Sequence, residues 1–147
     1  MGFNIPSELE YHTYNMLSLG DKKVKDRIIK ALVASIRTIP EYKEYMRLCK
    51  QAVETCAVCG QEFKNYGVSK EFHHTPKTLY EIVQEVVDRY IESNQVFKSI
   101  DVIAEVVDMH LNGEVKGVIV CVCCHKLLHF ERQKFGEEQS LPPQEDN

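Results

Sequence analysis

Two Cys-x-x-Cys pairs, Cys56/Cys59 and Cys121/Cys124, stand about 60 residues apart in this chain of 147, and they restrict its fold more than any other feature. A tight turn of this kind presents two soft thiolates to one tetrahedral ion, and a second pair completes the four ligands of a structural zinc. Gly60 follows the first pair and can take the positive backbone angle that turns neighbouring amides toward the sulfurs. The separation is too long for a simple finger, so a folded segment must lie between the pairs. The competing reading, buried thiols without a metal, needs four cysteines to fall into two matched pairs by chance.

At 44% apolar and 27% charged residues the composition is that of a soluble globular domain with one core. We expect a single domain over 1–136, with N-terminal helices in 1–54, a metal-held core in 55–132, a helical insertion in 77–112, and a disordered acidic tail over 137–147. No apolar run approaches the roughly 20 residues of a membrane span, and Met1 to Asn15 lacks the basic and apolar regions of a signal peptide. A cytoplasmic protein with no membrane partner is the expectation. Six cysteines then fit metal binding in a reducing compartment, with Cys49 and Cys123 left over as free thiols. The net charge of -4 argues against a surface that grips nucleic acid everywhere. Lys22, Lys23, Lys25, Arg27, Lys30 and Arg37 form one basic stretch, either a solvated helix face or a local contact for DNA.

Asp21 is placed to cap a helix carrying Val24, Ile28, Ala31, Leu32 and Ile36, and Pro40 marks its end. A second helix over about 41–54 puts Tyr42, Tyr45, Met46, Cys49 and Val53 on one side. Val68 to His74 reads as a strand stopped by Pro76. Leu79, Ile82, Val83, Val86, Val87, Tyr90 and Ile91 recur at three and four, so 78–92 is an amphipathic helix. Ser99 is a candidate cap for another, with Ile103, Val106, Val107, His110 and Leu111 buried. Asn112-Gly113 signals a turn, Gly117 to Val120 a strand, and Cys123 to Phe135 a helix that Gly136 ends.

His125 and His129 are four apart and share a helix face, whereas Cys124 and His125 are adjacent and diverge by about 100°. Thiols and imidazoles therefore point to different sides, which favours two metal sites over one. His73 and His74 are neighbours on a strand and face opposite ways, so a regular strand offers one of them to a metal; a bend near Pro76 would let the other act as a base on water.

A cysteine knuckle, a strand with Glu71-Phe72-His73-His74-Thr75-Pro76, a second strand, and a helix opening Cys-x-x-Cys-His-x-x-x-His resemble the treble-clef ββα-metal core of HNH, or His-Me finger, endonucleases. The likeness covers about Thr55 to Arg132 and extends to a phage-encoded HNH-like group. It implies an α+β fold, mostly helical, with a helical insertion in the metal-binding hairpin. It also implies hydrolysis of DNA phosphodiester bonds. His74 resembles the general base, His73, His125 and His129 the ligands of a catalytic divalent ion such as magnesium, manganese or nickel, and the four cysteines a structural zinc set. The family's central Asn would align near Lys116, with Asn112 the nearest candidate, and about 35 residues replace the hairpin loop. The alternative is an inactive zinc-binding module that acts on a host or phage protein. In either case the host cytoplasm is the expected location.

Overall fold

Asp21 opens the first helix because its carboxylate accepts the amides of Lys23 and Val24 at 2.9 and 3.2 Å, two of the donors a helix start leaves unpaired. The computed structural model describes residues 13, 14, 20–65, 67 and 69–138. In chain order they form β1 (Thr13–Tyr14), α1 (Lys22–Ile36), α2 (Pro40–Gln51), a 3-10 turn (Phe63–Asn65), β2 (Lys70–His74), α3 (Leu79–Glu92), β3 (Phe97–Lys98), α4 (Ser99–Leu111), β4 (Gly117–Cys121) and α5 (Val122–Glu138). The described residues are thus mostly helical, with two sheets of two strands each. Tyr66 and Val68 lie outside them, as does most of the segment expected to lack a signal peptide, although Thr13 and Tyr14 are described and pair with Lys98 and Phe97.

Two compact units divide the chain: Met1–Tyr45 with Tyr80–Val115, and Met46–Leu79 with Lys116–Asn147. In the first, α1 packs against α4. The buried stripe of α1 is Ile29, Leu32, Val33 and Ile36, a quarter turn away from the one expected, so Ile28 is half-buried and Ala31 exposed. Pro40 begins α2 rather than closing α1, since its fixed φ and missing N–H suit a first helical position. Ile82, Val83, Val86 and Val87 of α3 are buried, as are Val102, Ile103, Val106, Val107 and His110 of α4. Ser99 is a buried residue inside α4 and not its cap; the Lys98 amide donates to the Asp101 carboxylate at 2.8 Å instead. Leu111 is exposed at the end of that helix, where the stripe has turned to solvent.

In the second unit β2 and β4 are antiparallel, with Lys70 opposite Cys121, His73 opposite Val118 and His74 opposite Gly117. A bond from the Thr75 amide to the Lys116 carbonyl (3.2 Å) extends the ladder. α5 follows β4 without a break and contacts both strands. Cys56, Phe63, Ile119, Val120, Cys121 and Cys124 form the core, with Cys49, Val53, Phe72, Val118 and Leu128 partly buried around it. α5 runs through Gly136 to Glu138, so Gly136 does not end it and Glu137 and Glu138 are helical; the rest of the expected tail, 139–147, lies outside the described residues. Among the described residues no helix is long and apolar enough to cross a membrane.

Candidate metal centre

A short bridge between Thr55 and Glu62 brings the chain back on itself and creates the first knuckle. The Cys56 amide donates to the Gln61 carbonyl and the Gly60 amide to the Cys56 carbonyl, both at 2.9 Å, while Gly60 sits at φ +74° as its position required. The knuckle is fastened to β4 by a bond from the Ala57 amide to the Ile119 carbonyl (3.0 Å). Backbone amides then point at sulfur: Val58 and Cys121 donate to Cys56 Sγ at 3.4 and 3.3 Å, and Cys124 to Cys121 Sγ at 3.4 Å. Such bonds stabilise thiolate over thiol.

All four sulfurs, of Cys56, Cys59, Cys121 and Cys124, lie within 4.8 Å of one another, three buried and Cys59 exposed. Burial pushes the Cys56 thiol up, yet the amides of Cys59, Cys121 and Val58 and the Cys59 side chain together outweigh it and bring it to about 6. Cys124 moves the other way, to about 12, because its hydrogen bond to Cys121, its burial and its nearness to the remaining thiols all favour the protonated form. Four thiolates this close repel one another unless a cation joins them, and a soft divalent ion such as zinc is the group that this donor set fits.

A second group stands apart from the first. His73, His125 and His129 place one ring nitrogen each within 4.8 Å of the others. His125 Nε2 and His129 Nε2 are 2.9 Å apart, and the His73 ring lies 5.2 Å from each of the other two. His73 and His125 are buried and His129 is half-buried. The causes are local: the four-residue spacing on α5 aligns two imidazoles, and the pleat of β2 turns His73 to the side of Val118. This group could also hold a metal ion.

His74 is not part of it. The pleat turns its ring to the other face of the hairpin, where it meets Phe72 edge-on at 4.7 Å and is 1% exposed. Gly117, directly opposite, makes room for this arrangement: a Cβ there would come within 2.3 Å of the Phe72 ring and 2.7 Å of the His73 carbonyl oxygen. Neither Phe72 nor Gly117 stands out in the sequence, because their relation exists only in the strand register. Lys70 was missed because its partners lie at the end of α2, which only the return of the chain brings beside β2. Its ammonium donates to the carbonyls of Lys50 and Val53 at 3.0 and 2.8 Å, closing the end of α2 beside the knuckle.

Lys116, where the endonuclease resemblance would put an asparagine, contributes its backbone carbonyl to the hairpin, and Asn112 closes α4 in the other unit. Of the leftover cysteines, Cys49 is half-buried against the core and Cys123 is exposed. Part of the basic stretch is engaged within its own unit: Lys25 pairs with Asp88, and Lys30 with Asp26 at 3.1 Å.

The family model described as Bacteriophage G278-like virion protein matches residues 3–139, almost the entire chain and both clusters with it. The chain belongs to this family. Membership in the G278-like virion proteins agrees with the phage origin expected from the sequence. No curated protein and no solved structure matches the chain.

Proposed function

We propose that this G278-like protein is a metal-dependent endonuclease of the HNH, or His-Me finger, type that nicks or cuts DNA in the host cytoplasm. In this reading the knuckle, β2, β4 and α5 are a treble-clef ββα-metal core. The observation that carries it is the convergence of His73 from a strand with His125 and His129 from the following helix. The four cysteines would hold a structural zinc and the three histidines a second divalent ion, with magnesium, manganese or nickel as candidates. Bound there, such an ion would stabilise negative charge on the scissile phosphate and the departing oxygen. His125 and His129 would supply two ring nitrogens from one face of α5 and His73 a third from β2. The general-base role, taking a proton from water, falls by the resemblance to His74, and it requires that ring to leave Phe72 and the far face of the hairpin for the side of the three histidines.

A second reading is a zinc-held module that binds a host or phage protein without cutting anything. It is favoured by the burial of His74 at 1% exposure, which leaves little room for water, and by the virion description of the family. Plasmid nicking in the presence of each ion separates the two. Under the first reading wild type nicks, His74→Ala loses about a hundred to ten-thousand-fold in rate while keeping zinc, and His125→Ala loses both the second ion and the activity. A wild type that cleaves neither DNA nor RNA with any of these ions overturns the endonuclease.

A further inference from the structure

α5 buries one side and exposes the other. Cys124 and His125 are buried and Leu128 packs on the core, whereas Leu127 and Phe130 are 53% and 63% exposed and Cys123 is exposed as well. Cys123, Leu127 and Phe130 are spaced by four and three, so they form one apolar stripe along the outer face. Exposed Lys126 and Glu131 flank it, one on each edge and five residues apart.

We propose that this face is a docking surface for a second copy of the same chain, with the two α5 helices side by side and parallel about a two-fold axis. Two helices paired in this way bring each edge against the opposite edge of the partner, five residues further along. Lys126 of one copy then meets Glu131 of the other, and the pair occurs twice. An antiparallel arrangement would bring like edges together and leave Lys126 without that acid, so the charge pattern selects the parallel one. Leu127 and Phe130 fill the seam, with Cys123 at its start. A stripe of three apolar residues is small beside the roughly 1,200 to 2,000 Å² of a standard interface. The contact is therefore weak for an isolated pair and gains strength where copies are held close together. Neither the metal content of the histidine group nor catalysis enters this inference.

Sedimentation velocity of the zinc-loaded full chain, from micromolar to near-millimolar concentration, tests it. The expected result is a dimer whose share grows with concentration. Leu127→Glu with Phe130→Glu should remain monomeric with its zinc content unchanged; if that variant loses zinc, the milder Phe130→Ser should still weaken the dimer. Lys126→Glu alone should weaken association about fivefold, and Lys126→Glu with Glu131→Lys should restore it, since the two charges have only traded places. A chain that stays monomeric throughout, including one that uses this face to bind a different virion component, overturns the proposal. So does a dimer indifferent to Leu127 and Phe130, or a charge swap that fails to restore association.

Discussion

Gly117 and His110 show how much a single position can decide. At Gly117 the lack of a side chain lets the Phe72 ring lie across β4 and meet His74. Gly117→Ala must displace an aromatic ring or the backbone of β2, and overpacking of this kind costs about 1 to 3 kcal/mol. The loss should shrink when Phe72 is also changed to Ala, because the obstructing ring has gone; chemical denaturation of the two single variants and the double one reads this coupling. His110 is fully buried in the other unit, with Nδ1 2.7 Å from the Val106 carbonyl oxygen and the rings of Tyr42 and Tyr45 edge-on at 5.1 and 6.1 Å. Burial lowers its affinity for a proton, and the Val106 bond only partly opposes this, so the folded chain holds it neutral. The unfolded chain takes up a proton near pH 6.5 and the folded chain only at lower pH. The contribution of His110 to stability is thus complete above about pH 6.5 and falls by at most ~1.4 kcal/mol per pH unit on acidification, down to the lowered folded value. Melting curves between pH 8 and about 5.5 should slope less for His110→Gln than for wild type, and the difference isolates this group from the histidines near the metal sites.

Among the elements, α3 tests the helical reading most directly. Val86 is 3% exposed on its inner face, and the neighbouring Glu85 is exposed. Losing a buried valine costs roughly 1.5 to 3 kcal/mol, and an unpaired carboxylate in its place adds more. Val86→Asp should therefore be destabilised by well over about 3 kcal/mol, whereas Glu85→Ala stays within about 0.5 kcal/mol. Equal midpoints in urea would mean that the stripe is not buried. Other element boundaries departed from the sequence reading for identifiable reasons. A first-turn acid, Asp101, caps α4 as well as a serine would have done. One glycine costs a helix only about 1 kcal/mol, so Gly136 is carried inside α5.

For the molecule as a whole, the division into two units means that the cysteine cluster lies within one of them, between Met46–Leu79 and Lys116–Asn147. Structural zinc contributes on the order of 10 kcal/mol to a small domain. Chelation of zinc, or Cys59→Ser, should accordingly abolish hydrogen-exchange protection at Ile119 and Val120, which lie in that unit's core. Val83 and Val107, buried in the other unit, should retain theirs. Protection that persists at Ile119 and Val120 after complete chelation would show that hydrophobic packing suffices there. A chain with no zinc by elemental analysis would remove the metal from the account altogether.

The sequence by itself determined which residues could hold a metal and the local periodicities. Cysteine spacing, the four-residue spacing of His125 and His129, the opposed faces of His73 and His74, and the apolar repeats of α3 and α4 all follow from rules that act over a few residues, whereas the stripe of α1 came out a quarter turn from the expected one. Tertiary structure decided what meets what. Only the register of β2 on β4 sets Gly117 opposite His74 and beneath Phe72, and only the return of the chain beside α2 lets Lys70 close that helix. It also decided which residues leave the core, exposing Leu111 and Ala31, and it gathered 1–45 with 80–115 instead of keeping 1–54 together. Periodicity gives the angle of a side chain around its own axis, but the partner that fills the space opposite comes from a distant part of the chain.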